Sequence, residues 1–333
     1  MNLETNYLGL KLKNPLIVSA CRLSERIENI KAMEDAGAAA VVMYSIFEEE
    51  INYNEAFVDY YMKHGTEKFA ESLTYFPHID QQASFLDKHL FHLEKAVNAV
   101  KIPIIGSLNA VSHEGWLNYA VKMQETGISA LELNFYRLPV NKETSEMIES
   151  NYLTIAQELK SILKIPLAIK LGPYFTSIIN MATTLDKIAN IDGLVIFNRF
   201  YHPDYDIEKM DFKTDIELSH SFEALLPLQW ISILRDQIKA SIAGSTGIQT
   251  SSDAIKFLLA GCDAVMMASC LIKNKIGYLS QLLSGINDWL TRKNFESIKE
   301  IQGLMSKMKA AHLIELTRAQ YMKALRSFES ETY

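Results

Sequence analysis

A phrase that recurs three times along the chain constrains its fold more than any other feature. The segments EDAGAAAVVM, QETGISALEL and LLAGCDAVMM each end a helix-like stretch at a glycine, Gly37, Gly127 and Gly261, and continue into an apolar run. Glycine readily adopts the left-handed conformation that commonly ends a helix. Nearly continuous apolar runs are typical of parallel strands that are buried on both faces. The phrase therefore predicts repeated βα units.

Eight apolar or β-branched runs have the length of a strand, and residues with helical spacing follow them. They are Pro15–Ala20, Ala39–Tyr44, Pro103–Leu108, Ala130–Phe135, Pro166–Leu171, Gly193–Phe197, Ala240–Ala243 and Asp263–Ala268. Eight parallel strands at the usual shear close around an interior that side chains can fill. We therefore expect an α/β fold, a single (β/α)8 TIM barrel, and regard a doubly wound sheet as the rival.

The spacing between the strands is uneven. Long insertions follow the second strand, from Ser45 to Ile102, and the sixth strand, from Asn198 to Lys239. Both begin at the carboxyl ends of strands, where barrel enzymes build their sites from loops. A C-terminal helical extension within residues 290–333, with helical spacing from Asn294, is expected to pack on the barrel. No Pro/Gly-rich linker divides the sequence, so we expect residues 1–333 to form one domain.

The charge balance and the cysteines exclude several classes of function. The chain has 33 Lys and Arg against 40 Asp and Glu, a net charge of −7, which argues against binding to nucleic acid or to an anionic membrane. Three cysteines without C-x-x-C spacing support neither a disulfide framework nor a zinc site, and we expect no metal. The sequence shows no signal peptide and no membrane-spanning stretch. We expect a cytoplasmic protein with a small-molecule substrate, and a homodimer is left open.

The carboxyl ends of the predicted strands are strongly polar, which favours a pocket that offers hydrogen bonds to a polar ligand. These positions are Ser19, Ala20, Cys21, Tyr44, Ser45, Ser107, Asn109, Asn134, Tyr136, Arg137, Lys170, Asn198, Arg199, Gly244 to Gly247, Ala268 and Ser269. Lys170 stands inside an otherwise apolar run. Because a buried lysine is costly without an anionic partner, it either pairs with a carboxylate such as Glu132 or faces a ligand.

The clearest local indication of a ligand site is the run Gly244-Ser245-Thr246-Gly247 after the seventh strand. Small residues let backbone N–H groups approach a phosphate, and a helix that begins near Thr250 would add its dipole. Ala268 and Ser269 after the eighth strand would complete a site where barrels commonly hold phosphate. The alternative is a glycine-rich turn without a ligand.

Other catalytic signatures are not found. The sequence has no nucleophile elbow, no P-loop and no H-E-x-x-H motif. His89 and His92 are spaced i, i+3 on a predicted helix, and without a third ligand nearby they are interpreted as surface residues.

Taken in order, several segments resemble the dihydroorotate dehydrogenase family of FMN-binding barrels over nearly the whole chain. They are LGLKLKNPLIVSA, LELNFYRLP, IPLAIKLGPYF, GLVIFNRF and AGSTGIQTSSDAIKFLLAGCDAVMMAS. The resemblance implies an FMN-dependent oxidoreductase that acts on CH–CH bonds in pyrimidine biosynthesis and transfers a hydride between its substrate and flavin N5.

The resemblance also implies roles for individual residues. Ser19 and Ala20 would lie along the isoalloxazine, whereas Ser107, Asn134 and Lys170 would bind the ring and the ribityl chain. Gly244, Ser245, Thr246 and Gly247, with Ala268 and Ser269, would take the phosphate. Asn198 would contact the substrate.

Two positions depart from the family pattern. Tyr44 replaces the usual lysine of the second strand, and Arg137 stands where the family has a Cys or Ser base. Arginine stays protonated in proteins, so it cannot remove the C5 proton of dihydroorotate. Losing a general base typically costs on the order of 10²–10⁴ in rate. We expect Arg137 to clamp an anionic group while Tyr136, Tyr44 or Cys21 donates a proton; the alternative is an ion pair with Glu143.

The sequence therefore predicts a flavoprotein of this family and leaves open whether dihydroorotate is its substrate. One alternative is a catalytically degenerate barrel that keeps FMN or only a phosphate. Another is a flavin-free barrel acting on a phosphorylated metabolite, which needs only the site after the last two strands.

Overall fold

Eight parallel strands close into a barrel in the structure, which is a computed structural model. They are β1 (Leu16–Val18), β2 (Ala40–Val42), β3 (Ile104–Asn109), β4 (Ala130–Phe135), β5 (Leu167–Leu171), β6 (Gly193–Ile196), β7 (Ser241–Ser245) and β8 (Ala264–Met267). Each pairs with the next, and β8 pairs with β1, where Val265 lies opposite Leu16. The structure describes residues 1–51, 84–109, 112–136, 140, 142–200, 202–213, 217–306, 321–322 and 325–326. The predicted TIM barrel is confirmed.

Helices surround the barrel. They are α1 (Ile27–Asp35), α2 (Phe85–Ala99), α3 (His113–Glu125), α4 (Ser145–Ile162), α5 (Ile178–Thr184), α6 (Leu225–Leu234), α7 (Ser251–Ala260), α8 (Ser269–Asn274) and α9 (Tyr278–Arg292). Several begin at a Ser or Thr whose side chain accepts a backbone hydrogen bond, as Ser84 does from Asp87. The glycines of the repeated phrase have positive φ after α1, α3 and α7, as predicted (Gly37 105°, Gly127 83°, Gly261 124°).

Alternation along the strands decides which side chains enter the barrel. On β4, Leu131 and Leu133 pack outward with the helix layer, whereas Ala130 belongs to the interior cluster. Because side chains of a strand alternate, Glu132 and Asn134 point inward with Ala130. The interior is therefore apolar toward the amino ends of the strands and polar toward their carboxyl ends.

An N-terminal hairpin fills the lower end of the barrel, at the amino ends of the strands. Thr5–Tyr7 pairs with Leu10–Leu12 across a turn at Leu8 and Gly9, whose φ angles are 55° and 74°. Tyr7, Leu8 and Leu12 are buried, and the barrel residues around them are mostly small: Ala40, Ala130, Ala168, Ala243 and Ala264. Since alanines leave this layer unfilled, the large hairpin side chains take up the space.

Both predicted insertions extend from carboxyl ends of strands. After β2, Ile46–Phe47 pairs with the end of β3, and residues 52–83 lie outside the described part of the chain. After β6, Asp204–Asp206 and Asp211–Lys213 form an antiparallel hairpin, and Ser221–Ala224 forms a 3₁₀ turn before α6.

The sequence predicted helical spacing from Asn294, but no helix begins at that residue. Asn294 has a left-handed backbone (φ 58°), a conformation that ends helices rather than continuing them, and the chain then forms turns through residue 306. Residues 321–322 and 325–326 are helical, whereas 307–320 lie outside the described residues.

Candidate functional site

A row of hydrogen bonds joins four strand ends at the top of the barrel. Ser45 Oγ and Ser107 Oγ are 2.7 Å apart, and Asn134 Nδ2 donates to Ser107 Oγ at 2.8 Å. Asn198 Nδ2 donates to Asn134 Oδ1 at 3.5 Å. Ser107 and Asn134 are buried. The structure thus brings together three predicted site residues and adds Ser45 to them.

Lys170 reaches from β5 to the carboxylate of Glu132 on β4. Its Nζ lies 3.3 Å from Glu132 Oε1, and both side chains are buried. Glu132 Oε2 has no hydrogen-bond partner among the described residues. The sequence left open whether Lys170 pairs with a carboxylate or faces a ligand, and the structure shows the pair while also placing Lys170 on the wall of two cavities.

These two cavities adjoin at the carboxyl ends of the strands. The larger has a volume of about 930 Å³, and its wall includes Cys21, Tyr44, Ser45, Asn134 and Tyr136. The smaller, of about 150 Å³, is lined by Ser19, Ser245, Thr246, Gly247, Ala268 and Ser269 among others. Ala20, Lys170, Asn198 and Arg199 line both. A long ligand can therefore extend from one cavity into the other past Lys170.

The loop after β7 presents backbone donors to the smaller cavity. Gly247 has a φ of 78°, and a Cβ there would collide with the backbone nitrogen of Ala224, so only glycine fits. Within the described residues, the N–H groups of Gly247 and Ile248 donate to no protein acceptor. Unpaired N–H groups on a loop of this kind are suited to an anion.

Two details of this loop differ from the sequence interpretation. Gly244 faces away from the cavity, because a Cβ on it would collide with the ring of Phe257 on α7; it permits close packing of strand and helix. The N-terminus of α7 is already capped, since Asp253 Oδ2 accepts from Thr250 N at 3.0 Å and from Ser221 Oγ at 2.8 Å. A carboxylate thus occupies the position in which a phosphate would meet the helix dipole.

The electrostatics of Asp253 agree with this capping role. Burial alone would raise the pKa of its carboxyl, but hydrogen bonds from Ser221 and Thr250 hold the pKa below its ordinary value. The anionic form is therefore stabilised where it caps α7.

Sequence reasoning missed Ser219, which the insertion after β6 brings to the smaller cavity. Ser219 is buried, and its Oγ donates to Ser269 Oγ at 2.9 Å. Lys273 Nζ donates to the carbonyl oxygen of Ser219 at 2.9 Å. No local motif marks Ser219, because the partners that place it are about 30 to 54 residues away in the chain.

The larger cavity contains two groups that can donate a proton, Cys21 and Tyr44, beside the carboxylates of Glu25 and Glu50. Burial raises the pKa of the Cys21 thiol, although Lys170 opposes the shift. Burial and the carboxylates of Glu25 and Glu50 raise the pKa of Tyr44. Both groups are therefore protonated at neutral pH and can donate. Tyr136 stacks on Phe200 with ring centroids 4.4 Å apart, and Arg137 lies outside the described residues.

His89 is buried, so its interpretation as a surface residue is wrong. Only 2% of it is exposed, neither ring nitrogen has a hydrogen-bond partner within the described residues, and the ring contacts Tyr44 edge-on with centroids 4.7 Å apart. Burial, with His92 nearby, lowers its pKa to about 4. The signal was available in the sequence, because His89 shares one face of α2 with Leu86, Leu93 and Ala96.

Comparison with known proteins decides the family. The dihydroorotate dehydrogenase family model matches residues 63–290, about two thirds of the chain. The chain belongs to the dihydroorotate dehydrogenase family. The expected resemblance is confirmed, and so is the expectation of an oxidoreductase.

Relatives in the dihydroorotate dehydrogenase family align over most of the chain. The protein from Thermoplasma volcanium is 27% identical over 327 residues, covering 92% of this chain and 99% of its own length. Those from Thermoplasma acidophilum (28%, 91% and 98%) and Methanocaldococcus jannaschii (27%, 91% and 97%) are similar. Each is named a catalytic subunit of dihydroorotate dehydrogenase B (NAD(+)). No helix in the described part of the chain has both the length and the apolarity of a membrane span.

Proposed function

We propose that the chain is an FMN-dependent oxidoreductase that transfers a hydride between flavin N5 and a small polar ring substrate, either dihydroorotate or a close relative of it. The observation that carries this proposal is the position of Lys170, a buried cation at the junction of two cavities of different character. One cavity offers backbone donors suited to a phosphate, and the other is large enough for a ring system with a substrate beside it.

The residues of both cavities fit FMN. Gly247 and Ile248 would donate backbone hydrogen bonds to its phosphate, with Ser269 beside them. Ser19 and Ala20 would lie along the ring, and Ser107 and Asn134 would bind its polar edge. The bound flavin would supply the hydride acceptor of the reaction.

The protein's own groups would do the rest of the chemistry. The ammonium of Lys170 stabilises negative charge that develops above it, because it is fixed in a site with little water. Tyr44 and Cys21 are protonated and line the larger cavity, so each could deliver a proton to a substrate carbon in the direction in which the substrate is reduced. In the oxidising direction a carboxylate on the same wall, Glu25 or Glu50, would take up the proton that leaves the substrate. Asn198 offers its amide to the substrate, and Arg137 remains a predicted clamp for an anionic group.

We also propose a second subunit as the electron-transfer partner and the cytoplasm as the location. The partner is supported by the names of the relatives, which are catalytic subunits. The location is supported by Cys21, Cys262 and Cys270, all of them free thiols, because unpaired cysteines are typical of a reducing compartment.

Flavin reconstitution followed by anaerobic reduction tests the proposed function. The protein is expected to bind FMN at one equivalent per chain, and dihydroorotate or a related dihydropyrimidine is expected to bleach the flavin absorbance. Stoichiometric flavin that no such compound reduces would favour the degenerate barrel. Failure to bind FMN, with binding of inorganic phosphate retained, would favour the flavin-free alternative.

A further inference from the structure

Two buried oxygen atoms inside the barrel have no hydrogen-bond partner in the part of the chain that the structure describes. One is the hydroxyl of Tyr7, which is fully buried, and the other is Oε2 of Glu132, also fully buried. An unpaired hydroxyl or carboxylate oxygen in a water-excluded interior typically costs several kcal/mol. The two groups are complementary, since a phenol donates and a carboxylate accepts.

The packing of the hairpin places Tyr7 in the layer of the barrel interior just below Glu132. Tyr7 enters from the amino ends of the strands and lies in one cluster with Ala130 and Ala168, the inward residues just below Glu132 and Lys170 on β4 and β5. Burial and the charge of Glu132 raise the pKa of the Tyr7 phenol well above its ordinary value, so the hydroxyl keeps its proton.

From these observations we infer that Tyr7 is a positioning residue: its hydroxyl donates to Glu132 Oε2 through one buried water, and so fixes the carboxylate that holds Lys170 at the site. The connection from Tyr7 through Glu132 to Lys170 runs from the closed end of the barrel to the ligand end. The inference rests on the proposed function only in its last step, where Lys170 would contact the flavin.

The connection from Tyr7 through Glu132 to Lys170 is expected to change the flavin midpoint potential. The carboxylate of Glu132 offsets part of the positive charge of Lys170. Without the Tyr7 hydroxyl, the buried carboxylate of Glu132 loses a donor and is no longer fixed against Lys170. Lys170 is then less compensated and stabilises a reduced, anionic flavin more strongly, so the midpoint potential becomes more positive.

The first experiment tests the hydrogen bond in the flavin-free protein. Urea unfolding is measured for the wild type, Tyr7→Phe, Glu132→Gln and the double variant. The destabilisation caused by Tyr7→Phe is expected to fall at least twofold in the Glu132→Gln background, because a neutral amide gives the hydroxyl no charge to stabilise. Equal destabilisation in both backgrounds would overturn the proposal.

The second experiment tests the effect on the site and uses the flavin-loaded protein. The midpoint potential is expected to become more positive in Glu132→Gln and, by a smaller amount, in Tyr7→Phe. Thr5→Val is the matched control, because it also removes a hydroxyl from the hairpin, one that donates to Asp263 O at 2.8 Å rather than to Glu132. It should lower stability without moving the potential.

The two experiments separate this inference from the proposed function. If the protein binds no flavin, the proposed function fails while the unfolding experiment still decides the hydrogen bond. If the hydrogen bond is present but Tyr7→Phe moves the potential no more than Thr5→Val does, Tyr7 is structural and the positioning role is wrong.

Discussion

Lys170 Nζ lies 3.3 Å from Glu132 Oε1, and the two side chains are 7% and 0% exposed on neighbouring strands of the barrel. A buried pair of this kind is costly to break, because the partner left behind becomes an uncompensated charge. The stability of the barrel and the electrostatics of its site therefore depend on the same two residues.

Lys170→Met is expected to destabilise the protein by about 3–5 kcal/mol and to abolish retention of flavin. Lys160→Met is the matched control: Lys160 pairs with Asp192 at 2.6 Å, but both side chains are partly exposed, so about 1 kcal/mol or less is expected. Denaturant unfolding and flavin absorbance measure the two effects. Equal stability of the two variants would contradict the importance of the buried pair.

Gly247→Ala is expected to weaken binding of FMN and of inorganic phosphate at least tenfold, because the new Cβ would push the loop away from Ala224. Gly9→Ala separates this effect from backbone strain. Gly9 has a similar φ of 74° but open space around its Cβ position, so it should cost about 1 kcal/mol of stability and leave binding unchanged. Isothermal titration of both variants provides the comparison.

Ser107→Ala is expected to cost about 1–3 kcal/mol, because it deprives the buried amide of Asn134 of its 2.8 Å acceptor. Ser161→Ala removes an exposed hydroxyl that donates to Glu158 O and should change stability by less than about 0.5 kcal/mol. Thermal unfolding of the two variants measures the difference. A Ser107→Ala protein as stable as the wild type would show that the row of hydrogen bonds contributes little.

The stability of the protein is expected to fall as the pH drops from 6.5 toward 4. The folded state keeps His89 neutral, with a pKa of about 4, whereas the unfolded chain takes up the proton near pH 6.5. Stability is therefore full above pH 6.5, and about 3 kcal/mol is lost by pH 4. His89→Phe should flatten this part of the pH profile, whereas replacement of the exposed His113 by Gln should not.

Tyr44→Phe is expected to lower kcat by about 10²–10⁴ with little change in KM, if Tyr44 delivers the proton to the substrate. The variant keeps the aromatic contact with His89, so folding should be unaffected. Steady-state assays of substrate reduction, with stopped-flow oxidation of the pre-reduced flavin by that substrate, measure the two constants. An unchanged kcat would assign the proton to another group, with Cys21→Ala as the next variant.

The barrel and the upper part of its interior were predictable because their signals are local. Each strand is an apolar run, three of them follow a glycine at a helix end, and the polar residue at the end of each run must lie at the same face of the barrel. Ser107, Asn134 and Lys170 were therefore identified together before any distance was known.

The residues that sequence reasoning missed depend on distant contacts. Tyr7 belongs to a hairpin whose turn begins at Leu8, a residue type that gives no signal for a positive φ. Ser219 owes its place to Gln249, Ser269 and Lys273. Gly244 was assigned to the phosphate from its type alone, whereas its role is set by the ring of Phe257.

The hairpin beneath the barrel has a kinetic consequence. With Tyr7, Leu8 and Leu12 filling the lower end, every molecule that reaches the interior must use the upper mouth. An oxidised product then has to depart before a small-molecule electron acceptor can approach along the same route, so with such an acceptor the two half-reactions alternate. Initial-rate plots against the concentrations of both substrates should then give the parallel lines of a ping-pong sequence.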